Sequence, residues 1–180
     1  LPPSLTSLVL SDESKLSEAC FPFLPPGLTT LNIVIPSNYV RELPRKLTSI
    51  NLERCHTLVD NCLADLPAGI IFLKLSCSRI TDNGIPNLPQ KLLTLHLIDN
   101  VYLTDACSKD LPAGLTKLII DDGDSLTAAS LRALPRGLTY LVLPPCVLFD
   151  LTDESIRDLP RSITELNMDR NENLTNNGIV

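Results

Sequence analysis

The chain has 180 residues, 44% hydrophobic and 20% charged, so it can bury a core of its own and is not a disordered segment. Lys and Arg number 15 against 21 Asp and Glu, a net charge of −6, which argues against a nucleic-acid partner, since duplex-binding surfaces cluster basic charge. No apolar run approaches the roughly 18 residues of a membrane span, and the first residues lack the flanks of a signal peptide.

The prolines organise the chain. Leu-Pro recurs at Leu1, Leu24, Leu43, Leu66, Leu88, Leu111, Leu134 and Leu159, in steps of 23, 19, 23, 22, 23, 23 and 25 residues. Self-similarity at this period is the signature of a solenoid, in which each unit is too small to fold alone and stacks on its neighbours. The stretches begun by Leu-Pro read alike, among them LPPGLTTLNI, LPAGLTKLII and LPRGLTYLVL. Each stretch ends in an apolar-x-apolar alternation, the period of a strand. The pairs are Leu8/Leu10, Leu31/Ile33, Ile50/Leu52, Leu73/Leu75, Leu95/Leu97, Leu118/Ile120, Leu141/Leu143 and Leu166/Met168. Strands repeated in one register predict a parallel sheet.

The other half of each unit predicts a turn or two of helix. Thr or Ser followed by an acid, as in Thr81-Asp82, Thr104-Asp105 and Thr152-Asp153, suits a helix N-cap with negative charge in its first turn. Val59-Asp60 departs from this, and Asp60 is expected to cap in place of Val59. Proline ends each helix, because the residue before it is driven out of the α region. Cys20, Cys62, Gly84, Cys107, Ser130, Ser155 and Gly178 form a column of small residues that permits close backbone approach. Phe21, Leu63, Ile85, Leu131, Ile156 and Ile179 form a large apolar column, with Ser108 the exception. The second unit, only 19 residues long, is expected to lack the helix. The seventh carries extra residues around Pro144-Pro145-Cys146.

The Leu-x-x-Leu-x-Leu core, the Cys or Asn a few residues later and the Leu/Ile-Thr-Asp-x-x-Ile/Leu helix resemble the leucine-rich repeat superfamily. Cys55, Asn100, Cys146 and Asn171 sit where such repeats carry a Cys/Asn ladder, whereas Glu13 and Pro36 occupy the first two ladder positions. Ile80-Thr81-Asp82-Asn83-Gly84-Ile85 resembles the cysteine-containing subtype found beside F-boxes in ubiquitin-ligase substrate receptors. The Leu-Pro-x-x-Leu-Thr start resembles a bacterial-effector subtype or divergent protist repeats. The resemblance implies an α/β fold, a curved right-handed horseshoe with a parallel inner sheet of about eight strands and short outer helices. It covers residues 1–180 as a single domain. With Leu in place of Met at the start and no polar cap at either end, a longer parent chain is expected.

In that family the strand surface lines the concave face, and alternation turns the residues between the buried leucines toward it. One outward column is Ser7, Thr30, Ser49, Phe72, Thr94, Lys117, Tyr140 and Glu165. The next is Val9, Asn32, Asn51, Lys74, His96, Ile119, Val142 and Asn167. A third is Ser11, Val34, Glu53, Ser76, Ile98, Asp121, Pro144 and Asp169. The central units supply Phe72, Lys74, His96, Lys117, Ile119 and Tyr140, a mixture of aromatic, apolar and cationic groups typical of contact surfaces. A protein or peptide is the expected partner, bound by a non-enzymatic recognition module. The alternative is the substrate-recognition part of a ubiquitin-ligase receptor or secreted effector whose other domain lies elsewhere. A monomer is expected rather than an obligate oligomer.

No catalytic residue, metal site or cofactor is expected. Cys55, His56, Cys62 and Cys77 include plausible zinc ligands, but the repeat phase sends them to different sides of the unit. His96 lacks a nucleophile with an orienting acid beside it, Thr94 being more simply a strand former. The run Asp121-Asp122-Gly123-Asp124-Ser125 lacks the ligand spacing of an EF-hand loop and reads as a solvated turn. Asn173-Leu174-Thr175 is a formal glycosylation sequon in which Thr175 is the expected helix cap. The six cysteines read as free thiols, which implies an intracellular setting, with secretion as an effector the alternative.

Overall fold

In a computed structural model of the chain, residues 1–10, 18–76, 79–121, 123, 125–167 and 171–179 are described. Ser11, Glu13, Cys77, Asp122, Asp124, Met168 and Asp169, which the sequence patterns include, lie outside them. Eight strands form one sheet in chain order: β1 (Ser7–Val9), β2 (Thr30–Asn32), β3 (Ser49–Leu52), β4 (Phe72–Ser76), β5 (Thr94–Ile98), β6 (Lys117–Asp121), β7 (Tyr140–Val142) and β8 (Glu165–Asn167). Every neighbouring pair is parallel, and the expected columns lie in register, as in Leu73↔Leu95 and Leu95↔Leu118. Each rung thus repeats the one before it, and the inward leucines of the central rungs are fully buried in one continuous core. At the two ends the same columns, Leu5 and Leu8 at one, Ile163 and Leu166 at the other, are only partly covered.

The Leu-Pro corner recurs from rung to rung. Leu43, Leu88, Leu111, Leu134 and Leu159 each close a helical segment with φ near −61° and ψ between 140° and 145°, the extended conformation that a following proline imposes. The proline carbonyl then accepts from the amide three residues on, as in Leu92 N to Pro89 O at 3.2 Å and Leu115 N to Pro112 O at 3.1 Å. Directly after this turn a threonine starts the next strand. Its carbonyl receives two amides and a hydroxyl from the following rung: Thr139 N, Tyr140 N and Thr139 Oγ1 all donate to Thr116 O, at 2.8, 3.1 and 3.1 Å.

The return half of the rung is more tightly wound than expected. Glu18–Phe23, Ser37–Glu42, Asp82–Asn87, Asp105–Asp110, Ala128–Ala133 and Ser155–Asp158 are 3-10 segments. Only α1 (Asp60–Leu63), α2 (Pro145–Asp150) and α3 (Asn176–Ile179) are α-helical among the described residues. A six-residue stretch spans about 12 Å as a 3-10 helix against about 9 Å as an α-helix, so the tighter coil reaches further across the rung. It is also too short to recover the nucleation cost of an α-helix. The second unit does keep a helical segment, contrary to expectation. Its missing residues come out of the loop, where Ile33–Pro36 takes the place of Leu97–Thr104 in the fifth. The seventh unit uses its extra residues for α2, with Pro145 in its first turn, where a missing amide costs nothing.

Capping threonines take their expected places: Thr81, Thr104, Thr127 and Thr175 each accept from the amide two residues on. The acids beside them behave differently. Asp60 does not cap α1; Val59 stands at that position without a side-chain bond. Asp60 instead receives Thr81 of the next rung, N to Oδ1 at 2.8 Å and Oγ1 to Oδ2 at 2.7 Å. Asp82 receives Thr104, Asp105 receives Thr127 and Asp153 receives Thr175 in the same two-pronged way. An acid–threonine ladder therefore staples the return side of the solenoid. It skips one step: Ala128 stands in the acid position, and Thr152 closes instead on Ser155, whose Oγ accepts from Thr152 N at 2.8 Å.

The Cys/Asn ladder works on the opposite corner. Arg54 and Asp99 adopt φ of 58° and 54°, a left-handed turn that swings the next residue back under the sheet. Cys55 Sγ accepts from Ile35 N at 3.4 Å, and Asn100 Nδ2 donates to Leu75 O and Ile98 O at 3.3 and 3.0 Å. Cys146 Sγ donates to Gly123 O at 2.7 Å, and Asn171 donates to Leu148 O and Leu151 O at 2.5 and 3.0 Å. These bonds satisfy the Ile35 amide and the carbonyls of Leu75, Ile98, Gly123, Leu148 and Leu151, backbone groups at the turn.

Candidate functional site on the outward sheet face

Strand alternation leaves one side of the sheet facing away from the core. Ser49, Phe72, Thr94, Lys117 and Tyr140 are paired rung to rung along it, and so are Asn51, Lys74, His96, Ile119 and Val142. All are partly exposed, between leucines that are buried. Phe72, Lys74, His96, Lys117, Ile119 and Tyr140 therefore share one continuous surface.

Several of them touch. The rings of Phe72 and His96, on β4 and β5, lie 5.1 Å apart and edge-on at 71°, the arrangement the aromatic quadrupole favours. Lys117 and Tyr140 face each other across β6 and β7, with the ammonium 4.0 Å from the ring centroid, a cation–π contact. Lys74 makes an ion pair with Glu53 of the rung before it. The hydrogen bond from Lys74 holds the Glu53 carboxyl below its usual range against the opposing effect of burial, with the Asn51 amide assisting at 3.3 Å. His96 sits between the two cations. Burial lowers its pKa from 6.5, and the charges of Lys117 and Lys74 push it further the same way. Its Nε2 is buried and has no hydrogen-bond partner among the described residues.

Alternation alone does not single out Ile71 or Leu93. Ile71 and Leu93 fill the slot that threonine holds in the neighbouring rungs, and each is 43% exposed. They keep the backbone part of the threonine ladder, since Ile71 O accepts from Leu93 N and Leu93 O from Thr116 N, both at 2.9 Å. They offer a hydrocarbon side chain where Thr48 and Thr116 place a hydroxyl on the preceding carbonyl. The departure from Leu-Thr to Ile-Ile and Leu-Leu is visible in the sequence, at Ile70-Ile71 and Leu92-Leu93.

The remaining candidates fall elsewhere. Cys55 is at the ladder corner and Cys62 is in α1 on the return side; among the described residues no three His, Cys, Asp or Glu side chains gather as a metal site. Cys20, Cys62 and Cys107 are free thiols, while Cys55 and Cys146 use their sulfurs in the ladder. Burial drives the Cys107 thiol up to about 12, so it stays protonated and inert. Asn173 turns its amide to Phe149 O. Among the described residues no helix is long and apolar enough to cross a membrane.

Neither protein-family models nor curated protein sequences give a match to the chain. Solved structures do. The leucine-rich repeat-containing protein LegL7 from Legionella pneumophila superposes with a TM-score of 0.66 at 20% identity, over 96% of this chain and 68% of that one. The fold is a leucine-rich-repeat solenoid. An internalin from Listeria monocytogenes matches with a TM-score of 0.61 at 19% identity, over 99% of this chain and 58% of its own. The circular leucine-rich-repeat protein CroV588 matches with a TM-score of 0.58 at 17% identity, over 90% and 24%. In leucine-rich-repeat terms, the cluster from Phe72 to Tyr140 occupies the strand face, and the acid–threonine staples occupy the opposite, helical side.

Proposed function

We propose that the chain is a non-catalytic recognition module that takes a protein or peptide partner on the strand face of its central rungs. One observation carries this reading: Phe72, His96, Lys117 and Tyr140 stand on consecutive in-register strands, partly exposed and in pairwise contact. Large side chains already braced by one another lose little freedom when a partner arrives, which favours aromatic and cationic anchors at interfaces. A sheet of parallel rungs offers recognition by area and shape, with no reacting group required.

The test pairs partner discovery with substitution. Proximity labelling in cells provides candidates, and each purified candidate is titrated calorimetrically against the wild-type chain and against Phe72→Ala/Tyr140→Ala. Loss of about tenfold or more in affinity, with an unchanged circular dichroism spectrum, is the expected outcome. Unchanged affinity for every candidate removes this face from the binding mechanism.

A further inference from the structure

The strand face carries a cation and an apolar pair that are unbalanced by anything among the described residues, and they lie together. Lys74 is neutralised by Glu53. Lys117 rests on the Tyr140 ring and, among the described residues, has no carboxylate. Ile71 and Leu93 put hydrocarbon into solvent next door; Lys117 N donates to Leu93 O at 2.9 Å.

We infer that the partner segment is acidic and apolar, with an Asp or Glu side chain received by Lys117 and a neighbouring aliphatic or aromatic side chain laid over Ile71, Leu93 and Phe72. This deepens the reading of the strand face as the docking surface and rests on it. The chemistry comes from desolvation. Covering Ile71 and Leu93 with an apolar group also removes water from Lys117, and a cation dried without a counter-charge is costly. A carboxylate on the partner supplies that charge, whereas a basic segment would add a third cation to Lys74 and Lys117. The protein's net charge of −6 does not oppose this at contact range, because solvent screens charges beyond about 8–10 Å at physiological salt.

The experiment uses a randomised displayed peptide library selected on the whole folded chain. Enriched peptides are then measured by fluorescence anisotropy against wild type, Lys117→Glu, the milder Lys117→Gln and Phe72→Ala/Tyr140→Ala, each first checked for a native circular dichroism spectrum. Peptides sharing an Asp or Glu beside an apolar residue are expected. They should lose about tenfold in affinity when that acid becomes Asn or Gln, and as much on Lys117→Glu, with Lys117→Gln intermediate. Peptides that need Phe72 and Tyr140 but keep their affinity without an acid overturn the acidic assignment and leave the docking face standing. Peptides indifferent to all three positions, or no enrichment at all, overturn both.

Discussion

Asp82 on one rung receives both the backbone amide and the hydroxyl of Thr104 on the next, at 2.9 and 2.6 Å. The same Thr104 hydroxyl caps its own 3-10 segment by accepting from Ala106 N at 3.3 Å. One threonine therefore ends a helix in its own rung and fastens it to the rung before. In a solenoid, where stability comes chiefly from nearest-neighbour interfaces, such a bond acts on cooperativity between units as well as on local structure.

Asp82→Ala should therefore lower stability by about 1–2 kcal/mol, since two hydrogen bonds to a charged acceptor are lost at a partly solvated site. Thr104→Val should cost a similar amount, losing the hydroxyl bond to Asp82 and the cap on Ala106 N while keeping the amide bond, and the double variant should cost less than the sum, because the hydroxyl–carboxylate bond is lost in both. Urea denaturation of the four chains measures this. A double variant whose loss equals the sum of the two would show that the residues act independently.

Gly84 should not tolerate alanine. A β-carbon there would lie 2.5 Å from Asp60 Oδ1, and that carboxylate is pinned by Thr81. Gly84→Ala is expected to cost about 1–2 kcal/mol by overpacking, and Asp60→Ala in the same chain to relieve part of it. Gly114→Ala is the contrast: its nearest neighbour would be Leu92 O at 3.7 Å, with no left-handed φ to preserve. That change should be neutral or stabilising by up to about 1 kcal/mol through the unfolded chain. Thermal midpoints of the variants decide both expectations.

His96 should titrate below 6.5 when followed by NMR, since burial and the two lysines disfavour its charged form. The unfolded state then binds more protons than the folded one below about pH 6.5, so stability falls as pH falls through that window. Lys117→Gln should raise the His96 midpoint, and His96→Gln should remove its share of the slope. A midpoint at or above 6.5 would contradict the placement of the ring between the lysines.

Cys107 should resist thiol reagents in the folded state. It is fully buried, and its thiol is raised from 9.0 to about 12, so essentially no thiolate exists at pH 8. Labelling followed by mass spectrometry should find Cys20 modified before Cys107, with Cys107 reacting only as fast as the chain unfolds. The same shift predicts that the stability contributed by the neutral thiol is present below pH 9 and lost as pH rises from there toward 12.

Much of this protein is legible from one dimension. The Leu-Pro period and the apolar alternation determine the rungs, their number and their register, because a single strand slip would turn every buried leucine outward. The outward columns come from the same alternation, so Phe72, Lys74, His96, Lys117, Ile119 and Tyr140 could be assigned to one face from the sequence. What alternation cannot supply is contact between rungs. That Asp60, Asp82, Asp105 and Asp153 reach forward to a threonine more than twenty residues away depends on how far one return segment stands from the next. That the second unit keeps its helical segment depends on where the missing residues are taken from. That His96 lies between two lysines, its Nε2 without a hydrogen-bond partner among the described residues, depends on neighbours in other rungs. Periodicity along a chain sets which way each side chain faces; stacking in three dimensions sets what it faces.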